Sequence, residues 1–263
     1  MHFTKMQGLG NDYLYVCADA VPDDAAALSV RLSERHFGAG ADGMIWILPS
    51  DRADFRMRIF NADGSEAEMC GNGIRCVGKL VYEKGLTQKT ALTVETLAGI
   101  RKLALSVEDG RVQQVSVDMG QAQTGEAGTL TVAGHELRYI PVSMGNPHAV
   151  IFTEDAEAVP LAELGPQIEH HAAFPKGVNA EFVQVTGKNT LRMRVWERGS
   201  GITMACGTGA CAAAAAAVRK GLVGLDSDVS VILDGGILHI RVDGKGHVTM
   251  TGPAETVYEG ETV

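Results

Sequence analysis

Basic residues are outnumbered in this 263-residue chain, 23 Lys and Arg against 32 Asp and Glu. The formal charge of −9 argues against a nucleic-acid partner, because phosphate binding needs surplus positive charge. No apolar run approaches the ~20 residues of a membrane-spanning helix, so no membrane partner is expected. The opening segment, MHFTKMQGLGNDYLYV, lacks the basic stretch and apolar core of a secretory leader. Cysteines are few and odd in number: Cys17, Cys70, Cys76, Cys206 and Cys211. An odd set fits free thiols better than a disulfide framework. The chain therefore reads as cytoplasmic, where thiols stay reduced. Aromatic residues are scarce at 5%, yet 45% of the chain is apolar and 21% charged, the balance of a folded globular protein. The length suits one large domain or two ordinary ones.

What the chain does contain is a duplication. Arg56-Met57-Arg58-Ile59-Phe60 matches Arg192-Met193-Arg194-Val195-Trp196, and Cys70-Gly71-Asn72-Gly73 matches Cys206-Gly207-Thr208-Gly209. Lys84-Gly85-Leu86 matches Lys220-Gly221-Leu222, and all three offsets are 136 (192−56, 206−70, 220−84). A fourth pair, Gly10-Asn11-Asp12-Tyr13 and Gly145-Asn146-Pro147-His148, is offset by 135 (145−10). Two copies of one unit meet somewhere in residues 118–135.

Each copy reads as strands with few helices. Phe55, Met57 and Ile59 alternate with polar residues, as do Met193 and Val195. Hairpin signals recur at Asp109-Gly110, Ala133-Gly134, Asp234-Gly235-Gly236 and Asp243-Gly244. Helices are expected over 24–36, capped by Asp23 or Asp24, and over about 72–84 and 208–220. The last contains an unbroken alanine run, Ala212 to Ala217, which suits a helix closely wrapped by sheet.

The two Cys-Gly turns carry the chemistry. A cysteine at a helix N-terminus sits at the positive end of the dipole, which stabilises its thiolate. The backbone N–H groups that follow have no acceptor within the helix and can bind an anion such as a carboxylate. If the copies face each other, two sulfurs flank one small anionic ligand. One removes a proton from a carbon and the other returns a proton to the opposite face, which inverts the centre. Such a pair holds one thiolate and one thiol at a time, and its titrations are coupled. No phosphate loop or lysine context points to pyridoxal phosphate, so no cofactor is expected.

Asn61-Ala-Asp-Gly-Ser-Glu-Ala-Glu-Met-Cys70-Gly71-Asn72-Gly73, Gly145-Asn146-Pro147-His148 and Glu197-Arg198-Gly-Ser-Gly-Ile-Thr-Met-Ala-Cys206-Gly207-Thr208-Gly209-Ala210 resemble diaminopimelate epimerases. The likeness runs from Gly8 to Tyr258. It implies cofactor-independent interconversion of LL- and meso-diaminopimelate, on the route to lysine and peptidoglycan. It implies an α+β (α/β) fold of two pseudo-symmetric domains, each a barrel-like sheet around a central helix, with the site in the cleft. On that pattern residues 1–117 and 252–263 form the N-terminal domain and 118–251 the C-terminal domain. By the same resemblance Cys70 and Cys206 are the acid/base pair. Gly71, Asn72, Gly207 and Thr208 hold the reacting carboxylate, and Asn11 and Glu197 approach the reacting amino group. Asn61, Asn146, Asn179 and Arg198 hold the distal amino acid end. His148 and Glu197 tune the thiols, and Tyr258 lies at a homodimer contact. Two departures bear on substrate identity. Met44 stands where some members have a glutamine near the substrate, and Ile202 where many have a glutamate.

Other readings compete. The motif cysteines could be structural, or ligate zinc, but their spacings are C-x5-C and C-x4-C rather than C-x2-C. Cys17, Cys76 and Cys211 read as core residues. Gly38-Ala-Gly40-Ala-Asp-Gly43 matches a dinucleotide fingerprint, but a helix precedes it and a strand follows, the reverse of the required order. His148 can be a purely structural histidine, and Asn146 and Asn179 can be turn formers. Two other functions stay open: another cofactor-independent racemase on this scaffold, for example one acting on histidine, and a non-catalytic amino acid binder.

Overall fold

The structure, a computed structural model, describes residues 1–262. The chain separates into two compact units: Met1–Asp118 with the segment from Gly252 on, and Met119–Thr251. In the first, β1 (His2–Gly8), β2 (Asn11–Cys17), α1 (Ala25–Ser33), β3 (Gly43–Leu48), β4 (Phe55–Asn61) and β5 (Glu66–Ala67) precede the central helix α2 (Gly71–Glu83). β6 (Ala91–Thr96), β7 (Gly99–Glu108) and β8 (Arg111–Gln121) follow it. The second unit runs β9 (Gln123–Thr124), β10 (Gly128–Val132), β11 (His135–Ser143), β12 (Pro147–Phe152), α3 (Leu161–Glu169), β13 (Asn179–Gly187), β14 (Thr190–Glu197) and β15 (Gly201–Ile202). Its central helix is α4 (Gly207–Arg219), followed by β16 (Asp228–Leu233), β17 (Gly236–Val242) and β18 (His247–Gly252). The chain ends in β19 (Glu255–Glu261).

The duplication is visible strand by strand. β2 pairs parallel with β3 and β4 with β6, just as β12 pairs parallel with β13 and β14 with β16. The remaining neighbours in each unit are antiparallel, β3–β4 and β6–β7 in one copy, β13–β14 and β16–β17 in the other. The copies differ in how their first strand is supplied. β10 precedes β11 and pairs with it, whereas its counterpart beside β1 is β19, from the far end of the chain.

In each unit the strands pack around the central helix. α4 packs on β9, β11 to β14, β16 and β17. Its alanine run explains how: Ala212 to Ala217 are all buried, and methyl side chains let strands approach from every side. α2 does the same with a mixed face, burying Ile74, Val77, Leu80 and Val81. Where β7 comes close, Gly78 takes the helix position, because a Cβ there would lie 2.9 Å from Leu103. α2 and α4 thus begin one residue before the expected 72 and 208. α1 is shorter than the expected 24–36. It stops at Ser33 because the chain folds back at Gly38 and the N–H groups of Ala39 and Gly40 donate to the carbonyl of Leu32. Asp24 sits at the N-cap of α1 but makes no side-chain capping bond. Cys17 is a further correction: it is exposed, as the last residue of β2, where the strand leaves the core. Cys76 and Cys211 are buried inside their helices.

Candidate active site

Cys70 and Cys206 occupy the same structural position in the two copies. Each is the N-cap of its central helix, in extended conformation, with φ −133° and ψ 116° at Cys70 and φ −109° and ψ 108° at Cys206. The backbone N–H of Gly73 donates to Sγ of Cys70 at 3.3 Å, and that of Gly209 to Sγ of Cys206 at 3.3 Å. Both glycines are closely approached by a neighbouring side chain. A Cβ on Gly73 would lie 2.7 Å from Cδ1 of Ile45, and one on Gly209 would lie 2.9 Å from Oε1 of Glu181. Gly71 and Asn72 open α2, Gly207 and Thr208 open α4, and first-turn N–H groups of a helix have no partner within it.

In the first copy the Cys70 thiol donates to Oδ1 of Asn11 at 3.3 Å. The orientation of that amide is set from behind, since Asn11 Nδ2 donates to Oδ2 of Asp42 at 2.8 Å. Asp42 belongs to a charged cluster that sequence reading missed. Arg35 bridges Asp12 and Asp42 at 3.0 and 2.9 Å, and Lys5 lies 2.8 Å from Asp12. Burial raises the Asp12 carboxyl, but the bonds from Arg35 and Lys5 outweigh it and the net shift is down. Asp42 goes the other way, raised by burial and then by neighbouring Asp12. Asn72 is buried, and its side chain accepts from Arg75 at 3.0 Å. Asn61, at the end of β4, donates to Ser65 Oγ at 3.1 Å. Met44 is fully buried in the core with Leu14, Trp46 and Phe60.

In the second copy Asn146, the counterpart of Asn11, donates to Thr208 Oγ1 at 3.2 Å, and that oxygen lies 3.6 Å from Sγ of Cys206. Asn146 Oδ1 also meets Nε2 of His148 at 3.1 Å. His148 is buried, with Nδ1 2.6 Å from Oε1 of Glu181. Glu197 accepts from the Thr203 hydroxyl and is raised above the usual carboxylate range by burial. The Cys206 thiol is pushed well above its ordinary 9.0, first by burial, then by the nearby charges of Glu197 and Glu181. The helix start and the Thr208 hydroxyl pull it back only in part. A helix N-terminus alone argues for a thiolate; in this copy burial and the two carboxylates outweigh it, and the net shift of the Cys206 thiol is upward.

Asn179 is buried and ties two loops together: it donates to the carbonyl of Pro147 at 3.0 Å and accepts from the Arg198 N–H at 2.9 Å. The exposed Arg198 guanidinium donates to the carbonyl of Lys176 at 3.1 Å. Ile202 is exposed on β15. Tyr258 lies on β19, its hydroxyl donating to the carbonyl of Ala39 at 3.1 Å and its ring edge-on to Phe3. Among the described residues no group of three or more His, Cys, Asp or Glu is placed to hold a metal ion. The Gly38 to Gly43 segment lies between α1 and β3, so a helix precedes it and a strand follows.

A sequence profile described as diaminopimelate epimerase matches residues 3–125 and 140–257. The chain belongs to the diaminopimelate epimerase family. It is 54% identical over 263 residues to the diaminopimelate epimerase of Bacteroides thetaiotaomicron, covering 98% of this chain and 97% of that one. It is 49% identical over 276 residues to that of Acetivibrio thermocellus, covering 99% and 98%. Among solved structures, a phenazine biosynthesis protein of the PhzF family from Bacillus anthracis superposes with TM-score 0.79 at 19% identity, covering 100% of this chain and 99% of that one. A hydroxyproline epimerase from Agrobacterium vitis superposes with TM-score 0.73 at 20% identity, covering 100% and 90%. These two share the fold with the family. No helix among the described residues is long and apolar enough to cross a membrane.

Proposed function

We infer that this protein interconverts LL- and meso-diaminopimelate by proton transfer at Cα, without a cofactor. The observation that carries the reading is the matched pair of cysteine N-caps, one in each copy, within a chain about half identical to diaminopimelate epimerases. In one direction a thiolate removes the Cα proton and the opposite thiol delivers its own to the other face. One C–H bond breaks, one forms, and the two sulfurs have exchanged states. For one isomer Cys70 is the first base and Cys206 the first acid, and for the other isomer the roles are reversed. The Cα proton is a weak acid, so the helix-start N–H groups must stabilise charge developing on the carboxylate. Asn11 and Glu197 approach the amino group, and Asn61, Asn146, Asn179 and Arg198 are candidates for the distal end. Asn179 supports this site through the Arg198 backbone.

The reading extends to a homodimer formed through β19, whose Val257 and Tyr258 side chains are exposed. Sedimentation analysis of wild type against Tyr258→Glu tests it: a monomeric variant supports the contact, and an unchanged dimer removes it. Five free cysteines suit a reducing cytoplasm. The reaction itself is tested by product stereochemistry. Wild type must form the meso isomer from the LL isomer with no cofactor added. A protein that instead racemises another amino acid keeps the chemistry and loses the substrate; one that binds without exchanging Cα hydrogen is a binder.

A further inference from the structure

Glu181 lies near the start of β13 between Ala180 and Phe182, all three buried, and is 0% exposed. Its Oε1 meets Nδ1 of His148 at 2.6 Å, while Oε2 has no hydrogen-bond partner among the described residues. A buried carboxylate satisfied on one oxygen is among the least favourable groups to place in a core. The fold does not demand it. At the matching place in the first copy stands Ile45, also 0% exposed and also against the glycine that caps the motif cysteine. The two copies therefore fill the same space with an apolar residue in one case and an acid in the other.

We propose that Glu181 is a positioning residue for Cys206, acting through His148. The carboxylate accepts from Nδ1–H at 2.6 Å and fixes the ring plane, so that Nε2–H donates to Oδ1 of Asn146 at 3.1 Å. Asn146 in turn fixes Thr208 Oγ1, 3.6 Å from the sulfur. The chain from buried acid to thiol runs over β13, β12 and the start of α4. The groups facing Cys206 are Glu197 from β14, Glu181 from β13, and Thr208 and Gly209 from α4, with His148 of β12 behind them. The first copy, with Ile45, has no such arrangement at that place. Glu181 thus makes the two sulfurs unequal before substrate binds. This inference rests on the epimerase reading above.

The test compares wild type, Glu181→Gln and Glu181→Ile, the last carrying the residue of the first copy. Expected for Glu181→Gln are a kcat about 10- to 100-fold lower, as for lost outer supports of active-site ligands, and a KM within about twofold. The limb of the kcat/KM profile that belongs to Cys206 moves to lower pH, because a buried negative charge leaves its surroundings. Full kcat in Glu181→Ile, or an unmoved pH limb in Glu181→Gln, overturns the proposal and leaves Glu181 a packing residue. If the amide variant does not fold, Glu181→Asp replaces it: the charge remains, the arm shortens, kcat falls and the limb stays. A substrate-free measurement separates this inference from the reaction. In 15N-resolved spectra of the unliganded protein, the Nδ1–H signal of His148 is expected in wild type and shifted or lost in Glu181→Gln. Identical ring signals in both overturn the inference even where wild type makes meso product. A wild type that makes none removes the reaction, and the ring signals alone then decide the role of Glu181.

Discussion

The backbone N–H of Gly209 donates to Sγ of Cys206 at 3.3 Å, and the Cα of the same glycine packs against the Glu181 carboxylate, where a Cβ would lie 2.9 Å from Oε1. One residue thus serves the thiol through its amide and makes room for the acid by lacking a side chain. Gly209→Ala must push Glu181 or the helix start aside. The expected cost is about 1–3 kcal/mol of stability, as for other overpacked cores, with a kcat loss beyond what the unfolded fraction explains. Chemical denaturation alongside kinetics checks both. A variant of wild-type stability and rate would show that this contact yields freely.

Cys70→Ala and Cys206→Ala are each expected to abolish epimerisation, because either change removes one of two obligatory proton carriers. Cys→Ser at either position should leave slow exchange of solvent hydrogen with one isomer only. Full activity in an alanine variant would contradict the two-thiol scheme.

Asp42 controls the first copy from behind Asn11. Removing it in Asp42→Ala leaves Asn11 Nδ2 without its acceptor at 2.8 Å, so the amide no longer holds Oδ1 toward the Cys70 thiol. A roughly tenfold fall in kcat/KM is expected, equivalent to about 1.4 kcal/mol, together with a lower thermal midpoint, because the Asp12 N–H and the Arg35 guanidinium lose the same carboxylate. The kinetic effect should be absent if Asn11 is only a turn residue.

Alkaline pH should weaken the fold before it denatures the chain. Burial pushes the Cys76 thiol from 9.0 to about 11. Its folded value is raised, so the unfolded chain ionises first. The stabilisation is whole below pH 9 and is lost as pH rises to about 11. Two units correspond to about 3 kcal/mol. Burial raises Tyr15 as well, which adds in the same direction. Unfolding free energies by urea at pH 8 and pH 11 should show the fall, and Cys76→Ala should show a shallower one. Equal slopes would assign the loss to other groups.

Much of this was legible in the residues. Motif offsets of 136 revealed two copies, and the strand pairings repeat between them. The alanine run betrayed a wrapped helix because nothing charged interrupts it. Position-blind reasoning failed at ends and in long-range clusters. Cys17 belongs to an apolar run, but no local signal says where a strand leaves its core. The network of Lys5, Asp12, Arg35 and Asp42 joins residues from β1, β2 and the loop after α1, and only the fold brings them together. Glu181 did leave a trace, a lone acid among Ala180, Phe182 and Val183, yet its partner His148 lies 33 residues away and is aligned by parallel pairing of β12 with β13.

The central claim is that this protein inverts Cα with its own two thiols. Purified protein incubated with LL-diaminopimelate in D2O, with no cofactor added, tests it in one vessel. The account predicts meso-diaminopimelate carrying deuterium at the inverted carbon, and no product from Cys70→Ala or Cys206→Ala. A folded wild-type protein that yields neither meso product nor deuterium at Cα would contradict it.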